Sequence, residues 1–131
     1  MASLLNLSAA LLLLLLLLRQ IGMVAGGREM KCGKESIVIT QEKTGKVVEG
    51  KPEYEVTVLN TCRCTQMKVV AKCYGLSSVE PLDHRVIKPV DDTDYCIVNG
   101  GLPVGGGSFV KFRYAWMTPQ DFPIVSSQIH C

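Results

Sequence analysis

Six cysteines, Cys32, Cys62, Cys64, Cys73, Cys96 and Cys131, restrict this chain of 131 residues more than any other feature. An even set in so short a chain suggests a fold pinned by disulfides, provided that the compartment is oxidising. The N-terminal stretch bears on the compartment. In "MASLLNLSAALLLLLLLLRQIGMVAGG" an uninterrupted leucine run occupies residues 11–18, shorter than the about 20 apolar residues that a bilayer span requires. Arg19 and Gln20 end the run, and Ala25, Gly26 and Gly27 supply the small residues of a signal-peptidase site. The expectation is a secretory signal peptide at residues 1–25, a short flexible lead at 26–31 and one cysteine-rich domain at 32–131. The domain would be secreted, with no stable membrane insertion once the signal is cleaved.

Three bridges are expected. A native bridge in a small secreted domain contributes about 2–5 kcal/mol, comparable with the whole net stability of such a core. The residues leave the pairing open and disfavour one partner choice only. In an extended strand Cys62 and Cys64 would point to one face about 7 Å apart, too far for a bond between them.

The apolar pattern after Ser36 has a period of two, which marks half-buried strands. "SIVITQ" is rich in β-branched residues. "YEVTVLN" sets Tyr54, Val56 and Val58 against Glu55 and Thr57, and "MKVVAKC" sets Met67, Val69, Ala71 and Cys73 inward against Lys68 and Lys72. "FVKFRY" opposes Val110, Phe112 and Tyr114 to Lys111 and Arg113; "YCIV" and "IVSSQIHC" complete the set. Turns are expected at "EKTGK" (42–46), "EGKPE" (49–53), "DDTD" (91–94), the glycine-rich stretch before Phe109, and "MTPQDFP" (117–123). Short strands separated by Gly and Pro, with no long helical pattern, predict an all-β fold: a small antiparallel β-sandwich.

Composition and motifs argue against most chemistry. A formal net charge of +2 sets up no field for nucleic acid. The glycines of "YCIVNGGLPVGGG" are followed by Ser108 and a strand pattern. A phosphate-cradling loop would need Lys, then Ser or Thr, opening a helix. Asp92-Thr93-Asp94 has the form of a metal-holding D-x-D, but no βαβ pattern accompanies it to bind a nucleotide. His84 and His130 lie in no hydrolase or metalloprotease context, and Cys62-x-Cys64 lacks the paired spacings of a zinc site. No catalytic set, metal or cofactor is expected. Trp116 and Tyr74 keep open a second reading, an extracellular carbohydrate-binding or cell-wall module in which an aromatic stacks on a sugar ring.

The cysteine order and its surroundings resemble a plant family. "YEVTVLNTC", "MKVVAKCYGLSSVEPLDHRVI", "DDTDYCIVNGGLPVGGGSFVKFRYAW" and "FPIVSSQIHC" together are similar to the secreted, cysteine-rich TAPETUM DETERMINANT proteins over nearly all of 32–131. The resemblance implies a non-enzymatic signalling protein of the apoplast. It would bind the ectodomain of a leucine-rich-repeat receptor kinase and specify cell fate in the anther, notably the tapetum. Contacts would then come from exposed turn residues: Arg85, Lys88, Asp91, Asp92 and Asp94, with Lys43, Lys46 and Lys51 as further candidates.

Overall fold

In the computed structural model residues 32–131 are described. The expected signal peptide and lead lie outside the described residues. β-branched and aromatic residues at every second position produce seven strands: β1 (Ile37–Val48), β2 (Lys51–Asn60), β3 (Thr65–Lys72), β4 (Ile87–Pro89), β5 (Tyr95–Val98), β6 (Phe109–Ala115) and β7 (Ile124–His130). They form two antiparallel sheets, one in the order β1-β2-β6 and the other β4-β5-β3-β7. No helix among the described residues is long and apolar enough to cross a membrane.

The inward faces meet in one core. Tyr54, Val56 and Val58 of β2 lie opposite Tyr114, Phe112 and Val110 of β6, and Val69 and Ala71 of β3, Cys96 and Val98 of β5 and Ile87 of β4 face them from the second sheet. Tyr54 and Tyr114 stack at 5.3 Å between ring centroids. Phe122, from the β6–β7 connection, is buried and makes edge contacts with Phe112 at 5.3 Å and Tyr114 at 5.7 Å.

Three local expectations are corrected, and one strand was not foreseen. "EKTGK" is not a turn: residues 42–46 continue β1, and a register shift between Lys43 and Val47 absorbs the extra residues. The chain reverses instead at Glu49 (φ 49) and Gly50 (φ 77), the paired positive angles of a two-residue hairpin, so Lys51 to Glu53 belong to β2. In β3 Met67 is only half-buried and Gln66 takes the buried place; Lys68 (φ 49) forms a bulge that reverses the alternation. β4 escapes pattern reading because it is three residues long and carries Pro89, which an edge strand tolerates.

The cysteines pair as Cys32–Cys62, Cys64–Cys131 and Cys73–Cys96. Cys62 and Cys64 are indeed not joined, but they lie in the loop between β2 and β3 rather than on a strand. Two crossings between the sheets, β2–β3 and β5–β6, meet at this end. Asn60, buried, ties them together: its Nδ2 donates to Cys64 O (2.9 Å) and Val104 O (3.0 Å), and its Oδ1 accepts from Cys62 N (3.1 Å) and Gln66 Nε2 (3.2 Å). Gln66 extends the network to Gly33 O and to the Ser127 hydroxyl.

The glycine stretch closes over this network. A Cβ on Gly106 would stand 2.3 Å from Arg63 O, so only glycine lets the two crossing loops touch. Gly106→Ala is expected to cost about 1–3 kcal/mol, the range for forced overpacking. Urea denaturation reads this, and an unchanged midpoint would mean that the loops are free to part.

Candidate functional site

The outward side of the four-stranded sheet follows from its inward side. Because Ile87, Cys96, Val98, Val69 and Ala71 are buried, the residues alternating with them, Lys88, Tyr95, Ile97, Val70 and Lys72, face away from the core. Register sets these in rows. Lys88, Ile97, Val70 and Ser126 lie opposite one another across all four strands. In the next row Val90 donates its N–H to Tyr95 O at 2.9 Å, and Tyr95 pairs with Lys72.

Tyr74 extends this face beyond β3. It is 61 % exposed and has φ 50, an angle a tyrosine rarely adopts. Asp94 O stabilises it there by accepting from both Cys73 N (2.7 Å) and Tyr74 N (3.0 Å). The Lys72 ammonium lies 5.2 Å from the centroid of the Tyr74 ring. The result is an apolar floor, Val70 and Ile97, bordered by Val90, two tyrosines and two lysines, with no carboxylate in either row. Tyrosine is enriched where proteins bind one another, since it buries a large rigid area at a small entropic cost.

The residues expected to make contacts divide into two groups. Lys88 is exposed on β4, and Asp91, Asp92 and Asp94 form the tip of the β4–β5 hairpin, at the margin of this face. The tip is built as a turn: the Thr93 hydroxyl donates to Val90 O (2.8 Å) and accepts from Tyr95 N (3.1 Å). Arg85 lies at the opposite end of β4 and is held by Asp83 in two bonds of 3.0 and 3.1 Å. That pairing keeps the Asp83 carboxyl below its ordinary range and raises the Arg85 guanidinium, so Arg85 presents a paired charge, not a free cation. Lys43, Lys46 and Lys51 sit on the other sheet; Lys51 lies over the Trp116 ring at 5.7 Å. Trp116 itself is half-buried against the core.

Pattern reading turned Lys72 outward and named Tyr74 only as a sugar-stacking candidate; it did not single out Tyr95 or Val90. The missing information was that β5 lies between β4 and β3.

Two of the shallow clefts among the described residues lie elsewhere. One, of about 290 Å³, lies between Ile37 and Ile39 of β1 and Phe122, Pro123 and Ile124, with Lys34 and Glu35 beside them. The other, of about 250 Å³, has Lys111 and Arg113 already paired with Glu55 at 3.4 and 3.0 Å. Neither is lined by histidine or cysteine. The Sγ atoms of Cys32, Cys64 and Cys131 lie within 4.8 Å of one another, but all three are bonded in disulfides, whereas a metal would need thiolates.

A family model described as "Tapetum determinant 1, C-terminal" matches residues 33–131. "TPD1 protein homolog 1" of Arabidopsis thaliana is 32% identical over 102 residues, which cover 76% of this chain and 55% of that protein. "TPD1 protein homolog 1A" of Oryza sativa subsp. japonica is 31% identical over 100 residues, 70% of this chain and 44% of that protein. The chain thus spans about half the length of the curated relatives it matches. No solved structure matches it.

Proposed function

We propose, for a chain that belongs to the Tapetum determinant 1 family, that it is a secreted, non-enzymatic protein ligand for the ectodomain of a leucine-rich-repeat receptor kinase, acting in cell-fate specification during anther and tapetum development. The observation that carries the docking mode is the outward face of the four-stranded sheet. There Lys72, Tyr74, Lys88, Val90 and Tyr95 border an apolar floor free of carboxylates. Three disulfides favour an oxidising, extracellular setting. They also hold the ligand rigid, so docking onto the extended concave surface of a repeat protein costs little conformational entropy. Lysines at the border steer the encounter, and the tyrosines and aliphatic residues supply buried contact.

Surface plasmon resonance of the oxidised protein against a panel of such ectodomains tests this reading. Saturable binding is expected, weakened about tenfold or more in Lys72→Glu/Lys88→Glu, a loss of about 1.4 kcal/mol per tenfold. Lys43→Glu, on the other sheet, should leave it unchanged. Absence of saturable binding across the panel would reject the ligand reading, and sensitivity to Lys43→Glu alone would move the docking face to the three-stranded sheet. The exposed rings of Tyr74 and Tyr95 also suit a sugar ring, which favours a carbohydrate-binding module as the second reading. Strong signals on a glycan array, lost in Tyr74→Ala, Tyr95→Ala or Trp116→Ala, would establish that module in place of the ligand.

A further inference from the structure

The sandwich buries an acid that no docking role uses. Glu53 of β2 is 1 % exposed, although it shares the outward side of its strand with Glu55. Residues 78–80, in the connection from β3 to β4, lie beside it. Val79 N donates to Ala115 O (3.0 Å), and the Ser78 hydroxyl accepts from Ala115 N (3.1 Å). Ala115 is the register partner of Glu53 on β6. This attachment sets the Glu80 carboxyl against that of Glu53.

The groups around the pair do not satisfy two negative charges. The Thr44 hydroxyl of β1 donates to Glu53 Oε1 at 2.7 Å. Arg113 of β6 approaches the same oxygen only to 3.8 Å, because its guanidinium is bonded to Glu55 at 3.0 Å. Lys46 of β1 contributes a further positive charge. The Oε2 atoms of both Glu53 and Glu80 are buried with no partner among the protein's hydrogen-bond donors. Two adjacent buried carboxylates repel each other, whereas a single proton between them turns the repulsion into a hydrogen bond.

We propose that Glu53 and Glu80 form a proton-operated latch that fastens residues 78–80 to the three-stranded sheet while the pair holds one proton, and loosens them when that proton leaves. The inference rests on this geometry and is independent of the receptor reading. Its pH course follows from the two environments. The hydrogen bond from Glu80, then that from Thr44, keeps the Glu53 carboxyl below its ordinary 4.5. Desolvation, then the hydrogen bond and charge of Glu53, raises the Glu80 carboxyl. The Glu80 contribution is fully present below 4.5 and is lost as pH rises through its raised value; the Glu53 contribution is present above 4.5 and is lost as pH falls through its lowered value. The latch is therefore tightest near the ordinary carboxyl value and loosens on both sides.

Amide hydrogen exchange at Val79 and Ala115 in the oxidised full chain tests the latch, from pH 4.5 upward past neutrality. Corrected for intrinsic rates, opening in the wild type is expected to rise by up to about tenfold per pH unit, the limit for one released proton, and then to level off. Glu80→Gln, whose amide still donates to Glu53 but does not titrate, should show a flat course. A flat wild type, or the same course in both proteins, would overturn the proposal. So would excess calcium chloride at neutral pH restoring protection in the wild type, since the orphan oxygens would then hold a cation. Carboxyl carbon NMR of the wild type needs no variant: Glu80 titrating above 4.5 and Glu53 below it supports the latch, and both at the ordinary value reject it.

Discussion

Cys73→Ala/Cys96→Ala is expected to melt at least about 12–24 °C below the native chain, since lost loop-closure entropy alone costs about 3 kcal/mol, at about 4–8 °C per kcal/mol for a domain of this size. Two effects compete in ranking the bridges. Loop-closure entropy favours Cys64–Cys131, which spans 67 residues against 23 for Cys73–Cys96; the difference is about 1 kcal/mol. Burial favours Cys73–Cys96. Both its cysteines lie in the core, at 1 % and 0 % exposure, between Ala71, Val98 and Leu76 in the same cluster. Cys131 is exposed after the last strand. Removing two buried sulfurs adds a cavity cost of a few kcal/mol to the entropic one, so the core bridge should matter more. Differential scanning calorimetry of this variant beside Cys64→Ser/Cys131→Ser decides the order. A lower melting point in the second would show that chain entropy outweighs packing here.

The second large effect is placed at Asn60. Asn60→Ala removes the acceptor for Cys62 N and Gln66 Nε2 and the donor to Cys64 O and Val104 O. Gln66 N–H still reaches Val104 O (3.0 Å), so that carbonyl keeps a partner, but Cys62 N–H, on a cysteine 5 % exposed, loses its side-chain acceptor. With about 1–3 kcal/mol for each stranded buried group, the total is about 2–4 kcal/mol, read from urea denaturation at constant slope. Gln66→Ala should be non-additive with it by about 0.5–3 kcal/mol, since the two amides share one network. Strict additivity would mean that the sheets are joined at this end by the bridges alone.

How far pattern reading reaches is visible at single residues. On β2 and β6 the strict alternation of Tyr54, Val56, Val58 and Phe112, Tyr114 with polar and charged neighbours identified the inward face, because side-chain direction there depends only on the pleat. The same rule misplaced Met67, since the bulge at Lys68 is a backbone event that shifts direction by one residue and leaves no mark in hydrophobicity. Phe122 looked like part of a turn and became core because the connection carrying it folds back between the sheets.

Glu53 shows the other limit. By alternation it belongs with the half-buried, ion-paired Glu55, and it is buried because a connection many residues later settles beside it with a second acid. The primary chain by itself determined the all-β class, the even cysteine set and the inward face of each regular strand, since all of these depend on residue type and on neighbours one or two positions away. Tertiary structure alone decided which sulfurs met, that β5 lies between β4 and β3 to bring Lys88, Tyr95 and Lys72 onto one face, and that two carboxyls share one buried site. Each of these is a meeting of distant segments, chosen by the packing free energy of the whole core, which no local pattern contains.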